Sequence, residues 1–327
     1  MWAPKEYIPG LASVIIPTYN RAGYIEDALS SVFNQIYRPI EMIVIDDGST
    51  DATHEVVKSW IESHSSDAYF TCRYYLKNNE GSQVARNTGI RLSHGEFLQF
   101  LDSDDILKEH KIENAVRLYR LDHSVDLIYS RWLVDNGKKI IEMDGPNLRS
   151  GSRLTEAILN NMCIFSPIYR RDVILMVGPF NESLKKAQDI EYCTRVVKQT
   201  NNSVRDDEFG GVYRLGKSNN SIIGSVSRSK LLSEWQVSQY QKNLLKKEPH
   251  TERKDQALSL ISRRNFSTAQ RTLAGDCPLL GLKIMIYELG VWRPVISKKV
   301  LKSLILLVHL AIADLRKRIA FLLSKCF

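Results

Sequence analysis

Four short apolar runs, each passing through a polar exit into a helical pattern, fill roughly the first hundred residues of this chain. The runs are Ala12 to Pro17, Ile40 to Ile45, residues 69–76 and Phe97 to Leu101. Between them, residues 24–35 set Ile25, Ala28, Leu29, Val32 and Phe33 on one helical face, and residues 52–63 do the same with Val56, Val57, Trp60 and Ile61. Residues 83–93 carry Ala85, Arg86, Asn87 and Gly89, and a further helix is expected to begin near Leu107. Strand–helix alternation at this density predicts an α/β fold, a mainly parallel sheet with helices on both faces. β-Branched runs without polar alternation predict strands buried on both sides. Gly89 inside a helix costs about 1 kcal/mol relative to alanine, so a close approach of backbone or ligand is expected there.

The strand ends are chemically unusual. The first run exits through Thr18-Tyr19-Asn20-Arg21 and the second through Asp46-Asp47-Gly48-Ser49-Thr50-Asp51. The fourth stops on Asp102-Ser103-Asp104-Asp105. In open parallel sheets ligands bind at the carboxyl ends of the strands, so these clusters share one rim. Alternate acids such as Asp102 and Asp104 suit a hard divalent cation carrying a phosphorylated substrate. The same acids also suit a surface turn that caps the helix expected near Leu107.

Beyond residue 122 the alternation breaks down. Val125 to Val134 and Lys139 to Met143 read as a hairpin about Asp135-Asn136-Gly137. Short helices at 153–161 and 171–177 flank the apolar segment Cys163 to Tyr169, and Gly178 to Glu182 is a loop. A helix from Gln188 to Val197 holds Asp189 in its first turn, where the helix dipole favours a carboxylate. Residues 203–216 fit a last strand.

Charge separates the two ends. Residues 228–327 hold 19 Lys and Arg against 7 Asp and Glu, a net of +12, so the rest carries −4 of the chain's +8. Such a tail suits nucleic acid or an anionic membrane; with no nucleic-acid-binding motif in the chain, the membrane is expected and nucleic acid is not. Leu304 to Ala313 is apolar except for His309, and the stretch Ser303 to Leu315 around it is fenced by Lys298, Lys299 and Lys302 before it and Arg316, Lys317 and Arg318 after it. As a helix it would span about 20 Å, short of the roughly 30 Å hydrocarbon core, so it reads as an interfacial helix or as a bundle or dimer contact. Five cysteines without CxxC spacing suit a reducing compartment and speak against a disulfide framework or a zinc knuckle. Met1 to Gly10 lacks the pattern of a secretory signal.

Taken in order, Pro17-Thr18-Tyr19-Asn20-Arg21, Asp46 to Asp51, Asn79-Glu80-Gly81 with Ala85 to Gly89, Leu101 to Asp105, Val177 to Leu184 and Gln188-Asp189-Ile190-Glu191 resemble the family 2 inverting glycosyltransferases of the GT-A fold. The resemblance covers about residues 11–225 and implies a metal-dependent transfer of a sugar from a nucleotide-diphosphate sugar donor to a glycan or lipid-linked acceptor, as in cell-surface polysaccharide synthesis. It implies that Pro17, Tyr19, Asn20, Asp47, Arg86 and Asp102 bind the donor, with Tyr19 stacking on the base, Asp47 on the base edge and Arg86 at the nucleotide or its phosphates. Asp104 and Asp102 resemble the family's DxD motif and would hold Mn2+ or Mg2+, with Asp104 the direct ligand, and Asp189 would be the general base. Gln188 stands where the family often has glutamate, and Tyr213-Arg214-Leu215-Gly216 lacks a histidine that many members carry. The implied organisation is a catalytic domain at 1–225 and a basic helical region at 226–327, cytoplasmic, peripheral on the inner face of the plasma membrane or joined to a second subunit as a homo-oligomer. Competing readings are a sugar nucleotidyltransferase, which usually wants a glycine-rich, lysine-bearing first loop, and a non-catalytic glycan- or membrane-binding module on the same fold.

Overall fold

β1 (Ile8–Thr18), β2 (Ile40–Asp46), β3 (Phe70–Leu76) and β4 (Gly95–Phe100) run parallel in the order β3-β2-β1-β4. Helices α1 (Ile25–Phe33), α2 (Thr53–Ser63) and α3 (Ser82–Leu92) make the crossovers. The computed structural model describes residues 2–64, 67–149, 151–215, 227–274 and 278–292. By its internal contacts the chain divides into two units, Met1–Ile223 and Gly224–Phe327.

Alternation along the strands explains why the runs are apolar throughout. Val14 and Ile16 of β1, Met42 and Val44 of β2 and Phe97 of β4 join one core with Ile25, Leu29 and Val32 of α1 and with Val57 and Trp60 of α2. That core also takes Ile112, Val116 and Tyr119 of α4 (Lys111–Leu121). Ile15 of β1 and Leu98 and Phe100 of β4 point the other way, into a core with Ile90 of α3. A strand covered on both faces has no solvent side to mark with polar residues. Each fully buried aliphatic side chain contributes about 1.5–3 kcal/mol, so the sheet is secured at its centre.

After β4 the sheet becomes mixed. β5 (Ile106–Leu107), β6 (Leu127–Asp135), β7 (Ile140–Met143), β8 (Pro167–Arg170) and β9 (Ser203–Arg214) extend it in the order β4-β8-β6-β9-β5, with β7 paired to β6. β8 is antiparallel to β4 and β6, whereas β9 is parallel to β6. The expected hairpin is β6–β7, closed by Gly137 at φ +76°. Helices α5 (Arg153–Leu159), α6 (Arg171–Val177) and α7 (Gln188–Gln199) contribute Ala157, Val173, Ile174, Tyr192 and Val196 to the second core.

One local expectation is corrected. No helix starts near Leu107: Ile106 and Leu107 pair with Val212 and Gly211 of β9, and α4 begins at Lys111 behind His110. The acids at 102–105 therefore lead into a strand, and the helix-capping reading of them falls. Gly89 has the close contact its position called for, since a Cβ there would lie 2.3 Å from Ile15 Cγ2.

The second unit contains α8 (Arg228–Leu245), α9 (Glu252–Ala274) and α10 (Pro278–Trp292). Lys242 Nζ lies 2.5 Å from Glu288 Oε2, and Asn265 Nδ2 donates to Glu288 Oε1 at 2.8 Å, tying the three helices through a buried polar link. The apolar segment Ser303 to Leu315 and its flanking cations lie outside the described residues.

Candidate active site

Thr18 at the end of β1 faces Asp46 at the end of β2, and Ile15 faces Phe100 at the end of β4. Parallel register thus lifts three polar exits to one rim. Pro17 and Thr18 are buried, and Tyr19 is 41% exposed. Asn20 adopts φ +51°, which turns the chain so that its Oδ1 accepts from Thr50 N at 2.7 Å while its own N–H donates to Ser49 Oγ at 2.9 Å. The first exit is thereby clamped to the second.

Of the two aspartates ending β2, Asp46 is internal, accepting from Ser49 N at 2.7 Å and Tyr74 O–H at 2.6 Å. Asp47 accepts from Lys77 Nζ at 2.8 Å, Glu80 N at 3.0 Å and Gly81 N at 2.7 Å. Its carboxylate thus secures the loop that opens α3, where Gly81 takes φ +109°.

α3 delivers Arg86 to the acids. Arg86 is 3% exposed, its Nη2 lies 2.5 Å from Asp102 Oδ1, and its guanidinium rests 5.5 Å from the Phe180 ring centroid. Phe180 in turn stacks on Tyr192 at 3.8 Å, with Arg195 5.1 Å from the centre of that ring. Asn87 grips the Phe180 backbone from both sides, donating to its O at 3.0 Å and accepting from its N at 2.8 Å. The loop before α7 is therefore fixed to α3. α7 opens at that loop with Gln188, whose Nε2 donates to Ser82 Oγ at 2.8 Å and whose Oε1 is buried with no partner among the described residues. Asp189 follows. Burial lifts its carboxyl above the ordinary aspartate value, the Arg86 charge opposes that lift, and Asp102 adds to it.

The acid cluster carries the strongest electrostatics. Burial first, then the Asp102 charge, raises Asp104, with Arg21 and Arg214 pulling it back. Asp105 is pushed up further by its burial and by both neighbours, and its Oδ2 is buried without a partner among the described residues. Arg21 Nε lies 3.3 Å from Asp104 Oδ2. Arg214, at the end of β9, donates its backbone N–H to Asp105 Oδ1 at 3.0 Å and its Nε to the Asp104 carbonyl. Neither arginine was assigned a role from sequence; Arg214 drew notice only through the histidine missing beside it.

Among the described residues no group of three or more His, Cys, Asp or Glu side chains is arranged as a metal cage. The donor set nevertheless fits a hard cation. It is all carboxylate oxygen, burial and then the charges of neighbouring aspartates raise the proton affinity of Asp104 and Asp105, and Asp105 leaves one buried oxygen unmatched among the described residues. Mg2+-type sites commonly use one or two carboxylates and complete the shell with substrate phosphate and water.

The sequence model of glycosyl transferase family 2 matches residues 13–174, which take in the second half of β1, all of β2 to β4, the acid cluster and Arg86. Over these residues the chain belongs to glycosyl transferase family 2. It is 31% identical over 176 residues to an uncharacterized glycosyltransferase of Nostoc sp., covering 52% of this chain and 53% of that protein. It is 40% identical over 106 residues to TuaG of Bacillus subtilis, a glycosyltransferase named for teichuronic acid biosynthesis, covering 32% of this chain and 40% of that one. The chain thus spans about half the length, or less, of these relatives. Among solved structures, S. aureus TarS 1-349 in complex with UDP-GlcNAc matches with a TM-score of 0.64 at 23% identity, over 88% of this chain and 82% of that one. A mannosyltransferase of Pyrobaculum calidifontis, in complex with GDP-Man and Mn2+, matches at 0.53 and 18%, over 92% and 80%. The fold is the GT-A fold of family 2.

Proposed function

We propose that this chain is an inverting glycosyltransferase that moves a sugar from a nucleotide-diphosphate sugar to a hydroxyl of a glycan or lipid-linked acceptor, in the synthesis of a surface polysaccharide. The observation that carries this reading is the meeting, at one sheet rim, of the Asp102–Asp104 carboxylates with Arg86, and with Asp189 within the reach of both charges. The structural neighbours bound to UDP-GlcNAc and to GDP-Man with Mn2+ support a donor of this class, and the name of TuaG supports a polysaccharide product.

Each group then has a task. Tyr19, exposed at the rim, offers a ring for the base, and Pro17, Asn20 and Asp47 shape the loops around it. Arg86 places a buried positive charge where the diphosphate would lie, and Asp102 holds that guanidinium in place. Asp102 and Asp104 would hold a divalent Mn2+ or Mg2+ ion, which supplies Lewis-acid neutralisation of the diphosphate leaving group. Inversion needs one base on the far side of the sugar and no covalent intermediate. Asp189 fits that task, because burial raises the proton affinity of its carboxylate and so makes it a stronger base. Gln188 beside it adds an amide anchored to Ser82 in place of a second charge.

The test is Asp189→Asn. The substitution keeps the shape and removes the proton acceptor, so nucleotide binding measured by calorimetry should persist while transfer falls by about 10²–10⁴-fold. Near-wild-type kcat at saturating acceptor would move the base elsewhere. A product that retains the donor's anomeric configuration would contradict inversion.

A further inference from the structure

Two carboxylates of this rim are paired with a guanidinium group, Asp102 with Arg86 and Asp104 with Arg21. Asp105 instead accepts the backbone N–H of Arg214, whose guanidinium pairs with Asp27. Without ligand the two carboxylates expected to hold the cation are therefore already matched by the protein's own cations. The three arginines are not equally committed. Arg86 is buried, bonded to Asp102 and set against Phe180. Arg214 is tied to Asp27 Oδ2 at 2.5 Å, to the Asp104 carbonyl and, by its N–H, to Asp105. Arg21 belongs to the first exit loop. Among the described residues its Nη1 donates only to carbonyls of that same loop, Tyr19 O at 3.3 Å and Asn20 O at 3.2 Å, and its Nε makes a single 3.3 Å pairing with Asp104. Its backbone N–H is anchored separately, on Thr53 Oγ1 at 2.8 Å, so the loop keeps that tie when the side chain leaves.

We propose that Arg21 is a latch on Asp104: it occupies the carboxylate until a divalent cation binds there with a diphosphate, and its guanidinium then exchanges the carboxylate for the phosphate as its partner. The proposal rests on the divalent-cation reading above and deepens it. A doubly charged ion and a guanidinium cannot share one carboxylate without strong repulsion in a partly dry site. A cation arriving alone must therefore displace Arg21 with nothing to receive it. A diphosphate supplies that receiver, since guanidinium pairs well with phosphate. The consequence is thermodynamic coupling, and coupling is reciprocal: the diphosphate strengthens cation binding by the same factor as the cation strengthens diphosphate binding. Arg21 positions a ligand and touches no reacting atom in this account.

The experiment measures Mn2+ binding to the full chain by electron paramagnetic resonance, alone and in the presence of UDP or of GDP. Wild type should bind Mn2+ weakly alone and more tightly with the diphosphate. Arg21→Gln should bind Mn2+ alone about tenfold more tightly, and the enhancement by the diphosphate should shrink by a similar factor. Arg21→Met, neutral and of similar length, must give the same answer if the glutamine variant folds poorly. Arg21→Lys, which keeps the charge, should stay near wild type. Unchanged or weaker Mn2+ binding in folded Arg21→Gln or Arg21→Met, with wild type still binding Mn2+ and UDP together, overturns the latch alone. Wild type and Asp104→Asn alike failing to bind Mn2+ with either diphosphate overturns the cation reading, and the latch with it.

Discussion

Lys111 opens α4 with its ammonium inside the protein, 2% exposed, donating to Ser130 Oγ at 2.9 Å and to the Ser166 carbonyl. Burial drives its pKa down from 10.5 to about 7, and the nearby Asp206 only partly opposes that. The unfolded chain holds this proton up to its ordinary value, whereas the folded chain releases it near neutrality. Between these values the unfolded state binds the extra proton, so stability rises with pH, and the gain is lost as pH falls toward 7. Lys111→Met has no such proton. Denaturant unfolding at pH 7, 8, 9 and 10 should show wild type gaining on the variant by up to about 1.4 kcal/mol per pH unit. A pH-independent difference would mean that Lys111 stays charged in the fold. Ser130 and Ser166 remain linked without the lysine, through Ser166 Oγ donating to Ser130 O at 2.7 Å, so the variant should fold. Sequence alone places Lys111 on an amphipathic helix and gives no hint that its partners stand 19 and 55 positions away. The pairings of Arg21 with Asp104 and of Arg214 with Asp105 were hidden for the same reason. Local pattern reports which face a residue takes, not which distant residue meets it.

Helix α3 shows what local pattern does report. The apolar runs and helical faces around it anticipate β1 to β4 to within a few residues, because each strand is covered on both sides and each helix on one. The glycine at position 89 was the clue that α3 lies hard against the sheet, and Ile15 is what it meets. β5 was not legible, since two residues carry no periodicity and are held in place only by β9. The glycine also makes a prediction at this scale. Gly89→Ala gains about 1 kcal/mol of helix propensity but drives a methyl into Ile15, and overpacking of this kind costs about 1–3 kcal/mol. The net effect should be a loss of stability together with weaker nucleotide binding, because Arg86 rides on the same helix one turn earlier. With Ile15→Ala as the background, the obstructing Cγ2 is gone, and adding Gly89→Ala should stabilise. A double-mutant cycle in denaturant reads this reversal of sign directly, and additive effects would show that α3 has room to move.

At the scale of the whole molecule, the acidic catalytic part and the basic tail divide the net charge, −4 against +12. Among the described residues no helix is long and apolar enough to cross a membrane. The tail's most suggestive stretch, residues 296–327, lies outside those residues, so its role is argued from sequence. We propose that it docks the enzyme on an anionic membrane surface near a lipid-linked or membrane-bound acceptor. Its apolar segment is too short to span, and three cations stand on each side of it. Each Lys or Arg near the surface adds about 1 kcal/mol toward anionic lipid, and salt should weaken that attraction within a Debye length of about 8–10 Å. If the segment instead packs in a bundle or against a second copy, its apolar face is already covered and lipid charge is immaterial. Flotation on phosphatidylserine-containing vesicles separates the two accounts. The full chain should float at low salt and sink at high salt, while a chain ending at Trp292 should stay at the bottom in both. Equal behaviour of the two would refute docking, and a fall in molar mass on truncation would then assign the segment to a subunit contact.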